Sequence, residues 1–165
     1  MTRVWRICRR LYAAFDGEGA RQAGGRWNHR GVAVVYTSAT LSLAALEGFV
    51  HLDPSDAPSD LVVIPADIPD DVSRREIAAV TLPPTWRDYP APEQLAELGT
   101  AWVRAGTTAL LVVPSAIVPQ ERNVLLNPAH PAFGRIHLGT PEPFSFDPRM
   151  WKRRRPGGFE AEGRR

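Results

Sequence analysis

The amino-acid sequence predicts an α+β fold, a compact mixed β-sheet core with a few packed helices. Three observations lead there. The apolar runs at residues 61–64 and 109–113 are short and rich in β-branched side chains, as buried strands are. Only two segments carry clear helix punctuation. Strands this short, joined by so few helices, do not make the regular βαβ series of a doubly wound sheet.

Taken in chain order, residues 4–12 predict the first strand, with Arg9 and Arg10 at its end. Asp16-Gly17-Glu18-Gly19 and Ala23-Gly24-Gly25 read as loop. Residues 32–37 predict a strand between Gly31 and Ser38. Thr40 is the N-cap of a helix running from Leu41 to about His51, with Leu43, Leu46 and Val50 on one apolar stripe. Asp53-Pro54 stops it. Residues 61–64 form a buried strand. Residues 65–91, with Pro65, Pro69, Pro83, Pro84 and Pro90, predict an irregular crossing that carries Trp86 and Tyr89. A second helix spans residues 92–105, with proline at its start and Gly106 past its end. Its apolar face is Leu95, Leu98, Trp102 and Val103. Residues 109–113 are another buried strand, broken by Pro114-Ser115. Residues 123–127 and 135–138 predict two short strands around the Pro128-Ala129-His130-Pro131 turn, and the alternation of residues 143–147 suits a last one.

Composition narrows the class. The chain has 165 residues, 44% of them hydrophobic, enough for one domain with a proper core. It has no apolar run of about 18 residues, the length of a membrane span, and no secretory signal pattern follows Met1. Its one cysteine, Cys8, precludes an internal disulfide or a CxxC site. His29, His51, His130 and His137 show no HxxxH or HxH spacing, so no metal centre is expected. A soluble, reduced, cytoplasmic domain is the expectation. The formal net charge is +2, yet residues 152–165 hold six basic side chains and two acidic ones. The body is therefore mildly acidic, and the basic character belongs to a tail with Pro156-Gly157-Gly158. Such a tail is expected to be flexible and solvated, so a direct nucleic-acid role is not favoured.

Chemistry concentrates between Gly24 and Glu47. Arg26 follows two glycines, so backbone can approach a ligand while the guanidinium offers a planar fork to phosphate or carboxylate; the alternative is a surface arginine in a turn. Tyr36 falls near the end of an apolar strand, where a ring can stack on a heterocycle while its hydroxyl hydrogen-bonds; the alternative is a half-buried core tyrosine. Glu47 stands between Leu43-Ala44-Ala45-Leu46 and Phe49-Val50. A carboxylate so placed can bind ribose hydroxyls or stabilise positive charge developing on a sugar; the alternative is the polar stripe of the helix. Ser115, at the mouth of a buried strand, can donate to an amide or a phosphate, or simply close a turn. No histidine base is evident for it, which disfavours a Ser-His-Asp nucleophile. Asn123 and Asn127 bracket a strand and suit a turn-closing role. Gly24-Gly25 matches neither GxGxxG nor a Walker loop.

Trp5-Arg6-Ile7, Gly25-Arg26-Trp27-Asn28, Val35-Tyr36-Thr37-Ser38, Ala45-Leu46-Glu47 with His51, Val113-Pro114-Ser115 and Asn123-Val124-Leu125-Leu126-Asn127-Pro128 occur in the order seen in the RES domain. The chain resembles that family over most of residues 4–151. Its naming arginine, glutamate and serine correspond to Arg26, Glu47 and Ser115. The resemblance implies an ADP-ribosyltransferase-like fold, a NAD-binding catalytic domain over residues 1–151, and a basic tail at 152–165 outside the pattern. It implies the toxin of a bacterial toxin–antitoxin pair, with an Xre-like helix-turn-helix antitoxin as partner and room for a homodimer within the complex. NAD is the implied substrate, cleaved at the nicotinamide–ribose bond by water or inorganic phosphate, with no cofactor. The catalytic set is then Glu47, Arg26 and Tyr36, and NAD is bound by these with Arg6, Ser115 and Asn123. Arg26 and Arg6 would meet the pyrophosphate, Tyr36 the nicotinamide ring, and Ser115 the nicotinamide amide or a phosphate. Two other functions remain open at this point: ADP-ribosylation of a protein, and a non-catalytic binding module.

Overall fold

The computed structural model describes residues 1–53 and 58–151, so Pro54 and the basic tail lie outside the described residues. Within them, in order, come β1 (Thr2–Arg9), α1 (Glu18–Ala23), β2 (Val35–Ser38), α2 (Leu41–Phe49), β3 (Leu61–Ile68), β4 (Arg74–Glu76), α3 (Glu93–Ala105), β5 (Leu110–Pro114), β6 (Arg122–Leu126), β7 (His137–Leu138) and β8 (Glu142–Pro143), with short 3-10 turns between them. One sheet runs β4-β5-β6-β2-β1-β3-β7, and β8 also pairs with β3. The pairings are antiparallel except β4 with β5. This is the α+β mixed sheet that the short strands and sparse helices predict.

Both faces of the sheet are apolar because successive side chains of a strand point to opposite sides. Leu110 of β5 joins Val4, Phe15 and Ile64 in one core. Its neighbours Leu111 and Val113 join Trp27, Leu95 and Trp102 in the other. β6 divides in the same way, with Val124 and Leu126 on the first face and Leu125 on the second. α3 closes the second face with Leu95 and Trp102, and its end is set by Gly106 in the left-handed region at φ 58°. α2 is capped as its sequence suggests, the Thr40 hydroxyl accepting from the Leu43 amide at 3.1 Å. It ends at Phe49, two residues short of His51.

Several segments depart from the sequence expectation, each for a tertiary reason. β1 ends at Arg9 because β3 ends opposite it at Leu61. The chain then turns through a 3-10 segment, Arg10–Tyr12. α1 replaces an expected loop. Gly17 at φ 72° starts it, and Glu18 bonds Arg21 and Gln22 on its exposed face, the neighbours a helix provides. β2 is shorter than expected because β6 matches only Val35 to Ser38. β3 passes straight through Pro65 to Ile68, held by β1 along its length. The remainder of the crossing forms the parallel edge strand β4 and a 3-10 turn at Ala79–Thr81. Residues 131–135 form a 3-10 turn ahead of β7. The last strand is only Glu142–Pro143. Beyond it Phe146 and Trp151 pack on Phe49 of α2, with ring centroids 5.5 and 4.7 Å away.

Candidate active site

The sheet parts in its middle. β1 pairs residue by residue with β3, but meets β2 only at Trp5 opposite Ser38. Where these strands separate, a cleft of about 1080 Å³ opens, walled by β1, β2, the 24–27 turn, the second half of α2 and residues 87–91.

Strand alternation prepares one polar cluster in this cleft. Ser38 lies opposite Asn123, and Asn123 opposite Val113. Continuing the Leu111, Val113 parity places Ser115 on the same face. Just where the second core runs out, three polar side chains therefore come together beneath α2. Ser115 Oγ donates to Glu47 Oε1 at 2.7 Å, and Asn123 Nδ2 donates to the same oxygen at 2.6 Å. Asn123 Oδ1 in turn accepts from Ser38 Oγ at 2.7 Å. Among the described residues Oε2 takes no hydrogen bond, while Glu47 lines the cleft. The carboxylate is thus fixed by one oxygen and offers the other. Charge-assisted bonds of this kind are roughly twice as strong as neutral ones.

Ser115 stands directly after β5, at the mouth of a buried strand as the sequence predicts. It is fully buried, and its oxygen also accepts from the Ile117 and Val118 amides at 3.1 and 3.0 Å. The hydroxyl thus donates to Glu47 and closes the turn after β5, the other role open to it from sequence. Asn123 likewise serves Glu47 and Ser38; the turn-closing role falls to Asn127, whose Oδ1 accepts from the Ala129 amide at 3.0 Å.

The 24–28 turn presents Arg26. Gly25 and Asn28 form an isolated bridge, and a Cβ at Gly25 would press on the Tyr36 hydroxyl at 2.7 Å and on Asn28 Oδ1 at 2.9 Å. Only glycine fits. Arg26 Nη1 donates to the Trp86 carbonyl at 2.7 Å and Nη2 to that of Asp88 at 3.1 Å. Arg26 also lines the cleft, and its other N–H groups take no acceptor among the described residues. Burial pulls the Arg26 pKa down, and the Glu47 carboxylate, Tyr36 and Asp88 pull it back up.

Tyr36 sits early in β2, not at its end. Its hydroxyl donates to Asn28 Oδ1 at 2.7 Å and accepts from the Trp27 amide at 3.0 Å, so it is engaged within the protein, while the residue lines the cleft. Burial pushes its pKa well above the ordinary phenol value, against the Trp27 bond and Arg26, which lower it. Arg6 lies on the β1 face of Val4, with its guanidinium 5.5 Å over the Phe15 ring. Its Nη2 donates to the Tyr12 carbonyl at 3.4 Å, while its buried Nε has no acceptor among the described residues. Asn28, Ser38 and the Trp86 and Asp88 carbonyls were not singled out from sequence. Asn28 and Ser38 ended quoted motifs; the carbonyls carry no sequence signal. Among the described residues, no three His, Cys, Asp or Glu side chains group to hold a metal ion, and no helix is long and apolar enough to cross a membrane.

Comparison with known proteins agrees with this architecture. The RES domain pattern matches residues 3–147, and the chain belongs to the RES-domain family. A protein of Sphingobium sp. (strain YBL2) named Prs ADP-ribosylating toxin is 41% identical over 155 residues, 90% of this chain and 96% of that protein. A Toxin Res of Yersinia enterocolitica is 38% identical over 89% of this chain and 98% of its own length. A Toxin Res of Pseudomonas putida is 38% identical over 90% and 99%. In fold, the chain is similar to one in the crystal structure of the M. tuberculosis MbcT–MbcA toxin–antitoxin complex, with TM-score 0.72, 16% identity, and coverage of 87% of this chain and 84% of that one.

Proposed function

We propose that this protein is the toxin of a toxin–antitoxin pair and cleaves the nicotinamide–ribose bond of NAD. The observation that carries the reading is the Glu47 carboxylate, which lines an open cleft and is held at one oxygen by Ser115 and Asn123. As that bond lengthens, its electron pair leaves with the neutral nicotinamide and positive charge gathers on the ribose. A preorganised carboxylate stabilises that charge without reorganising at the moment of reaction. Water or inorganic phosphate then bonds to the sugar carbon and gives up a proton. Nicotinamide in NAD is already a cationic leaving group, so the step needs no second carboxylate.

The remaining residues have supporting tasks. Arg6, with its unanswered Nε, and the free N–H groups of Arg26 supply positive charge for the pyrophosphate. The Tyr36 ring offers a surface to the nicotinamide. Ser115 and Asn123 are positioning residues that act through Glu47. The relatives named as toxins, and the toxin–antitoxin complex with a similar fold, support an antitoxin partner; an Xre-like helix-turn-helix protein is the one proposed.

The name of the Sphingobium relative favours a second reading in which a protein nucleophile captures the sugar. Both share the same cleavage and differ only in the acceptor. Mass spectrometry of products from purified protein and NAD, with and without phosphate, separates them. Free ADP-ribose or its phosphate supports the first reading, and a mass increment on an added protein supports the second. Intact NAD under all conditions would overturn both.

A further inference from the structure

Residues 83–91 present an aromatic side chain that the proposed chemistry does not use. Trp86 anchors this segment in the second core, only 8% exposed. Arg26 holds the Trp86 and Asp88 carbonyls, and Arg87 Nε donates to the Ala116 carbonyl at 2.9 Å. A segment fastened at three points nevertheless leaves Tyr89 82% exposed. Its ring centroid lies 6.3 Å from that of His51, inclined at 51°. Both residues line the cleft that holds Glu47. His51 follows Glu47 by four positions, just past the end of α2, and its amide donates to the Gly48 carbonyl at 3.3 Å.

The rings are inclined rather than parallel, so a flat ligand lying on the exposed Tyr89 face meets the His51 ring at its edge. Exposed aromatic faces gain most from a flat partner, because every base has a π-face that stacks without regard to its edge pattern. Glu47 and both rings line one cleft, so a ligand with its scissile bond at the carboxylate can extend to the exposed Tyr89.

We propose that Tyr89 and His51 form the subsite for the adenine base of the dinucleotide, making Tyr89 a specificity-determining residue. This rests on the reading of NAD as substrate. Binding to a base remote from the reacting bond supplies energy that the chemistry at the sugar can draw on.

The test uses the full chain with AMP, NAD and nicotinamide mononucleotide, which lacks the adenine end. Tyr89→Ala is expected to weaken AMP binding in calorimetry about tenfold, the usual scale of one lost base stack. It should lower kcat/KM for NAD by a similar factor relative to nicotinamide mononucleotide, and Tyr89→Phe should restore both. Tyr89 is exposed, so folding is not at stake. Unchanged AMP affinity in Tyr89→Ala, or equal losses on both nicotinamide substrates, would overturn the subsite. Failure of the wild type to cleave either substrate would overturn the proposed function instead, and the AMP titration would still decide the subsite.

Discussion

Glu47 is held by two hydrogen bonds, from Ser115 and from Asn123, that can be broken singly. Glu47→Gln retains an oxygen able to accept from Ser115 and Asn123 but removes the charge. Nicotinamide release should fall by at least about a hundredfold, the scale of one lost electrostatic stabiliser, with the melting temperature little changed. Ser115→Ala leaves the Ile117 and Val118 amides without their acceptor and removes one support of the carboxylate. We expect a loss of about 1–3 kcal/mol in chemical denaturation, together with reduced turnover. Arg26→Lys keeps a charge but loses the fork that spans two carbonyls. NAD affinity measured by calorimetry should weaken, and weaken further in Arg26→Ala; unchanged affinity in both would remove Arg26 from the pyrophosphate. Tyr36 makes a pH statement. Its folded pKa is raised, so folding prefers the neutral phenol. That contribution is complete below the ordinary tyrosine value of about 10 and is lost progressively above it. The alkaline fall in stability should therefore be shallower in Tyr36→Phe, read from denaturation midpoints against pH.

At the scale of elements, α3 holds the arginine turn in place although it contributes nothing to the cleft. A side chain at Gly99 would collide with the Trp27 carbonyl, and the Thr100 hydroxyl accepts from the His29 amide at 3.0 Å. Gly99→Ala is expected to push the 24–28 turn outward, costing about 1–3 kcal/mol as overpacking does and lowering NAD turnover. A variant of unchanged stability and turnover would show that α3 does not position Arg26. The same contact explains how far the elements were legible. Capping at Thr40, the apolar face of α3 and the Gly106 stop are local signals, and they stand in the structure as read. The continuation of β3 through Pro65, the parallel edge β4 and the early end of β1 depend on partner strands distant in sequence. No local pattern encodes such partners.

For the whole molecule, the arrangement of residues 1–151 already brings together every proposed site residue. A chain ending at Trp151 should cleave NAD at a rate close to that of the full chain, measured by nicotinamide release. A folded but inactive truncation would show that residues 152–165 complete the site.

Residue types and their order settled the family, the α+β class and the identity of Arg26, Tyr36 and Glu47 as a candidate set, because charges and rings set among apolar segments are costly without a purpose. Which group contacts which was decided by tertiary structure alone. Strand register places Ser115 and Asn123 where each donates to the same oxygen of Glu47. The Asn28 bond turns the Tyr36 hydroxyl inward. The separation of β1 from β2 makes the cleft, and the anchored 83–91 segment brings Tyr89 to its rim. Apart from the Asn28–Tyr36 bond, which spans eight residues, these depend on pairings between residues far apart in sequence, whose geometry exists only once the sheet has closed around its two cores.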